Sequence, residues 1–243
     1  MHGLHIKITL WKGEIPAQYI ERMVEIVTHY LPNQSLMKNI LHHHIDQADT
    51  IRLAWHENRI VGFSIASKLK KLTPFYPRQI NVLFERMLYL EPDALYCGLG
   101  LRLMGATLRD LFGPLWPLKR FAVICRTQNP VVVKMMNTHN VTYPQYNRPL
   151  PDDIRQFSES LLPLLNAKAL DDKCRLIGTL EAFTGMDYTD IWNRYLHHGK
   201  NKYEALILDS AFNIKEGRII NSGCFTYILA YSKPLHFIRY LFH

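Results

Sequence analysis

No apolar run in this 243-residue chain reaches the roughly 20 residues that a membrane-crossing helix requires. The opening "MHGLHIKITLWKGE" has neither the long apolar stretch nor the small-residue cleavage site of a secretory leader, so a cytoplasmic location is expected. Cysteine is sparse. Cys97, Cys125, Cys174 and Cys224 stand far apart with no Cys-x-x-Cys spacing, a pattern that suggests neither a disulfide framework nor a zinc cluster. Acidic residues are outnumbered, 21 against 29 Lys and Arg, which gives a formal net charge of +8. Such an excess suits an anionic partner: nucleic acid, an anionic lipid surface or a polyanionic cofactor. There is no basic tail, however, and the densest basic run, "KLKK" from Lys68 to Lys71, is the size of an ordinary solvated loop. Fixed-period repeats and low-complexity segments are absent as well, which favours a compact fold over an array.

What is present is an ordinary globular composition, 48% hydrophobic and 21% charged. "LHIKITLW" alternates and is rich in β-branched residues, predicting a strand. After Pro16 the spacing of Ile20, Met23, Val24, Val27 and Leu31 predicts a helix, and "NQSLMKNILHHHI" predicts a second, capped by Asn33 or Ser35. "TIRLAWHE" and "RIVGFSIASKL" form a predicted hairpin turning at Asn58. "FYPRQ", between Pro74 and Pro77, reads as a loop before the long strand "INVLFERMLYLE". The helix "LGLRLMGATLRDLF" follows, with Leu101, Met104, Leu108 and Leu111 on one face. "RFAVICRT" is nearly all apolar, as a strand covered on both sides should be. "NPVVVKMMNTHN" predicts a helix with Pro130 in its first turn.

The segment "LYLEPDALYCGLGLRLM" places Gly98 and Gly100 between a strand and a helix. Backbone N–H groups at a helix start lack intrahelical partners and carry part of the helix dipole, so they suit a pyrophosphate, and glycine lets its oxygens come close. This segment, with "VICRTQNPVVVKMMN", resembles the acyl-CoA-binding core of the GNAT superfamily of N-acyltransferases. The resemblance covers residues 1–145 and implies an α/β fold: a mixed, mostly antiparallel sheet flanked by helices, with a C-terminal helical elaboration. It implies acetyl-CoA or another acyl-CoA as co-substrate. Its cofactor contacts would be the pantetheine strand Met87, Leu88, Tyr89 and Leu90, then the loop and helix start Leu95, Tyr96, Cys97, Gly98, Leu99, Gly100, Leu101 and Arg102, with Asn129 beside the cofactor arm. The family pattern has Arg or Gln three residues before the first glycine; Leu95 stands there, in a loop that binds mostly through its backbone.

Acyl transfer to an amine requires a base for the amine proton and an acid for the leaving thiolate. Glu85 interrupts the apolar strand "VLFERMLYL", where burial is costly for a carboxylate and raises its pKa. The alternatives for Glu85 are an arginine ion pair or a solvent-facing position; neighbouring Arg86 points to the opposite face. Seven residues after Asn129, where the family often carries a tyrosine acid, stands Met136; Tyr143 and Tyr89 are the candidate substitutes, and water can also protonate the thiolate. His42, His43 and His44 are consecutive and point three ways on a helix, so no metal site is expected.

Beyond the core, residues 146–200 read as a helical insertion. Phe157, Phe183, Tyr188, Trp192 and Tyr195 either pack it down or line an apolar pocket. Residues 201–243 would complete the sheet through "KYEALILD" and "GCFTYILAYS", all within one compact domain. The expected activity is acyl transfer from CoA to an amine on a small molecule or protein. A nucleic-acid-binding or nucleic-acid-modifying protein, a non-catalytic acyl-CoA-binding module and a homodimer stand as alternatives.

Overall fold

The computed structural model describes residues 5–31, 34–92, 98–127, 132, 136, 141–143, 149–171, 175–178, 213–221 and 225–232. The chain divides into two compact units: Met1–Leu69 with Leu83–Lys119, and Lys70–Val82 with Arg120–His243.

In the first unit, β1 (Ile6–Trp11) lies antiparallel to β2 (Thr50–His56), which pairs antiparallel with β3 (Arg59–Thr73) across a turn where Glu57 has φ 56°. The strand order is β1-β2-β3-β4, with β4 spanning Tyr76–Leu90. Helix α1 (Ala17–Thr28) begins after Pro16 and buries Met23, Val24, Ile26 and Val27, close to the predicted face. Helix α2 (Gln34–Asp46) buries Met37, Leu41 and His44. Helix α3 (Leu99–Phe112) has the predicted limits because glycines in positive-φ conformations bound it, Gly98 at 62° and Gly113 at 85°.

The buried face of α3 differs from the predicted one. Leu99, Leu103, Met104, Thr107, Leu108 and Phe112 are buried, so only Met104 and Leu108 are common to both sets. The buried residues recur at i, i+4 (Leu99, Leu103 and Thr107; Met104, Leu108 and Phe112), one face of the helix, and Thr107 and Asp110 add polar partners on the sheet. Leu99 and Leu103 join Ile6, Ala54, Val61 and Leu90 in one cluster, each large side chain contributing about 2 kcal/mol by leaving water.

β3 and β4 form a single hairpin, 15 residues on each arm, with Pro74–Phe75 as its turn. The expected "FYPRQ" loop is therefore mostly strand. Pro77 is tolerated because it stands near the beginning of β4 and is exposed.

The second unit holds the outer part of that hairpin and continues the order β4-β5-β11-β8-β7. β5 (Phe121–Thr127) is nearly all buried and pairs antiparallel with β11 (Phe225–Ser232), which also meets β6 (Val141–Tyr143) and β8 (Arg175–Ile177). β8 pairs with β7 (Ala169–Leu170), and β9 (Asn213–Lys215) with β10 (Arg218–Asn221) makes a separate hairpin. Every pairing with a described register is antiparallel. Helix α4 (Asp152–Glu159) carries Asp152 and Asp153 in its first turn, where the dipole favours them, and buries Phe157. It ends earlier than "DDIRQFSESLLPLLNAKAL" suggested; Pro163 has no N–H to continue the helical bonding. The segments "TDIWNRYLHH" and "KYEALILD" and the side chains of Phe183, Tyr188, Trp192 and Tyr195 lie outside the described residues.

Candidate active site

Gly98 stands at the N-cap of α3 in the left-handed conformation, φ 62° and ψ 16°, and no side chain caps the helix. A Cβ at Gly98 would touch nothing within 4 Å, so the glycine is set by backbone conformation rather than by crowding. Gly100 lies in the first turn, where a Cβ would meet Leu90 Cδ1 at 3.7 Å and Leu88 Cδ2 at 3.8 Å, ordinary contacts that packing tolerates. The N–H of Arg102 bonds Gly98 O at 3.2 Å, the first bond of the helix, and its side chain donates through Nη2 to Ile6 O at 3.0 Å. Arg109 is exposed in the last turn of α3.

Met87 and Leu90 are buried, Leu88 and Tyr89 half-buried. The backbone of this strand end is partly engaged: Leu90 O accepts from Tyr30 Oη at 2.8 Å and the Glu91 N–H donates to Val61 O at 2.8 Å. Beneath Leu90 sits Gly62, where a Cβ would approach Leu90 Cδ2 to 2.6 Å, so only glycine lets β4 lie this close.

Glu85 is buried, with 6% of its surface exposed. Ser64 Oγ on β3 donates to Glu85 Oε1 at 2.8 Å, and Ser64 Oγ lies 3.0 Å from Thr107 Oγ1 on α3. Oε2 has no hydrogen-bond partner among the described residues. Burial pushes the carboxyl from its ordinary 4.5 up to about 8, opposed by the Ser64 bond, which favours the ionised form. Among the described residues Glu85 has no ion-pair partner, and it does not face solvent. Arg86 points to the other face as expected; Nε donates to Ser67 Oγ at 2.6 Å and Nη1 to Gln47 Oε1 at 2.8 Å.

Glu85 and Leu88 both face α3, Glu85 through the hydroxyl chain to Thr107 and Leu88 against Gly100.

Among the other predicted residues, Tyr143 lies on β6 with its ring stacked on Phe75, centroids 5.9 Å apart, and Met136 is buried. Leu95, Tyr96, Cys97 and Asn129 lie outside the described residues. Sequence reasoning missed Ser64 and Thr107, whose only signal is a hydroxyl on an otherwise apolar face. Among the described residues no three His, Cys, Asp or Glu side chains gather as metal ligands, and His44 is buried within α2. A cavity of about 210 Å³ between α1 and α2, lined by Glu21, Val24, Glu25, Gln34 and Lys38, contains none of the predicted site residues.

These features define an α/β protein in which a glycine-headed helix and a buried carboxyl belong to consecutive elements. No family model matches the chain, and no curated protein matches it. Solved structures are similar over part of it. PH1933 from Pyrococcus horikoshii OT3 is 11% identical with a TM-score of 0.44, covering 58% of this chain and 93% of its own. The aminoglycoside acetyltransferase AAC(6')-Iy, in complex with a bisubstrate analogue, is 17% identical with a TM-score of 0.40, covering 55% of this chain and 88% of its own. A GNAT family N-acetyltransferase, YhbS from Escherichia coli in complex with CoA, is 14% identical with a TM-score of 0.39, covering 55% and 68%.

Proposed function

We propose that this chain is an acyl-CoA-dependent N-acyltransferase of the GNAT type, moving an acyl group from CoA to an amine acceptor. The observation that carries the reading is the uncapped, glycine-headed N-terminus of α3 following the strand that buries Glu85. The sequence resemblance at "LYLEPDALYCGLGLRLM" supports the same reading.

In this mechanism the N–H groups of Leu99, Gly100 and Leu101 receive the pyrophosphate oxygens of the co-substrate, and β4 from Met87 to Leu90 guides its pantetheine arm. The acceptor nitrogen attacks the thioester carbonyl carbon; a C–N bond forms as the C–S bond breaks. Glu85, in its ionised form, takes the amine proton directly or through one water. A pKa of about 8 leaves a fraction of the carboxyl ionised at neutral pH and makes that fraction a stronger base than an ordinary carboxylate. The thiolate takes its proton from solvent.

Calorimetry with acetyl-CoA tests the binding half. Micromolar binding is expected, abolished in the Gly98→Asp/Gly100→Asp double variant; no binding of any acyl-CoA sinks the proposal. Acceptor-dependent CoA release tests the chemical half. Turnover should rise with pH toward about 8 and fall by about a hundredfold or more in Glu85→Gln. The buried Met136 favours a second reading, an acyl-CoA-binding module without turnover, which binding with no release in any acceptor screen would establish.

A further inference from the structure

The run Lys68–Lys71 is not a loop. It enters the outer part of the β3–β4 hairpin, where Lys70, Lys71 and Leu72 on one arm and Pro77, Arg78 and Gln79 on the other are all exposed. Successive strand residues point to opposite faces, so both faces of this stretch meet solvent. The turn is held at its base. Phe75 stacks on Tyr143, and the Arg120 guanidinium lies 4.7 Å from the centre of the Tyr76 ring. The sequence has no Asp or Glu between Glu57 and Glu85. Among the described residues, no ion pair involves Lys70, Lys71, Arg78 or Arg120. Leu72, set among these cations, is 63% exposed.

We propose that the outer arms of this hairpin dock on an anionic phospholipid surface, with Lys70 and Leu72, which share one face of β3, meeting headgroup phosphates and the headgroup boundary, and Lys71, Arg78 and Arg120 adding attraction from the rim. The inference goes beyond the acyl-transfer reading and does not depend on it. Charge alone would fit any polyanion. The exposed leucine favours lipid, because an apolar side chain gains at the bilayer boundary and gains little against a phosphodiester backbone. Each basic side chain near such a surface contributes about fivefold in affinity, so four give an enrichment on the order of several hundredfold, weak enough to be reversible.

The test is flotation of the full chain with vesicles of phosphatidylglycerol and phosphatidylcholine, against pure phosphatidylcholine, at low and high salt. Binding to the anionic vesicles alone, released by salt, is expected. At low salt the Lys70→Glu/Lys71→Glu variant should lose about a hundredfold or more, and Leu72→Ser about tenfold. All three positions are exposed, and circular dichroism checks that the variants keep their fold. No binding to anionic vesicles, or equal binding by wild type and the double variant, overturns the proposal. So does a duplex oligonucleotide that binds through these lysines while vesicles do not.

Discussion

Two polar links join α3 to the sheet, and they differ in kind. One is ionic: Arg52 on β2 grips Asp110 through both Nε and Nη2. The other is a chain of hydroxyls ending on a carboxyl, Thr107, Ser64 and Glu85. The links are neighbours, since Arg52 and Ser64 stand directly opposite each other on β2 and β3, and Thr107 and Asp110 are one helical turn apart. Among the described residues the guanidinium opposite Ser64 is engaged with Asp110, while Glu85 has a hydroxyl partner and a neutral form favoured by burial. One helix is thus held by a charge pair and by a buried acid whose pKa is pushed up to about 8.

The largest expected effect separates the links by pH. Glu85 has a folded pKa above its unfolded value, so its stabilising contribution is complete below about 4.5, declines as pH rises and is gone above about 8. The full swing is about 5 kcal/mol at most. Urea unfolding across this range should show the decline in wild type and not in Glu85→Gln; parallel curves would erase the distinction between the links.

Next in size is the ionic link. Arg52→Met removes both charge-assisted bonds to Asp110, which is exposed and keeps Thr50 as a partner, and should cost about 2 kcal/mol, part of it recovered in Arg52→Met/Asp110→Leu. Failure of the double variant to recover would mean the pair does more than satisfy its own charges. Smaller still are the hydroxyls. Ser64→Ala removes the bond that favours ionised Glu85, so its pKa should rise further, at about 1–2 kcal/mol of stability; Thr107→Val should cost about 1 kcal/mol. A carbon-13 titration of the glutamate side chains reads the first directly. An unmoved Glu85 midpoint in Ser64→Ala would show that burial alone sets it.

The contrast also explains what could be read in advance. Glu85 announces itself because a carboxylate inside "VLFERMLYL" breaks an apolar pattern, and α3 announces its ends through Gly98 and Gly113. Ser64 and Thr107 are quieter, since a small hydroxyl disturbs neither strand nor helix periodicity. In α3, Leu101 and Leu111 are half-buried rather than core. The hairpin turn was obscured for another reason: Pro74 and Pro77 look like breakers, yet one occupies the turn itself and the other an exposed position just inside β4. Three-residue β6 could not be marked by alternation at all; its place on β11 comes from partners more than 80 residues downstream in the chain.

The neutral state of Glu85 makes folding of this chain a proton-consuming reaction. Near neutral pH the unfolded chain carries that carboxylate ionised, and closing α3 over it takes up most of a proton from solvent. The folded protein then carries nearly one positive charge more than its formal +8. Refolding in weakly buffered solution should leave the medium measurably more alkaline.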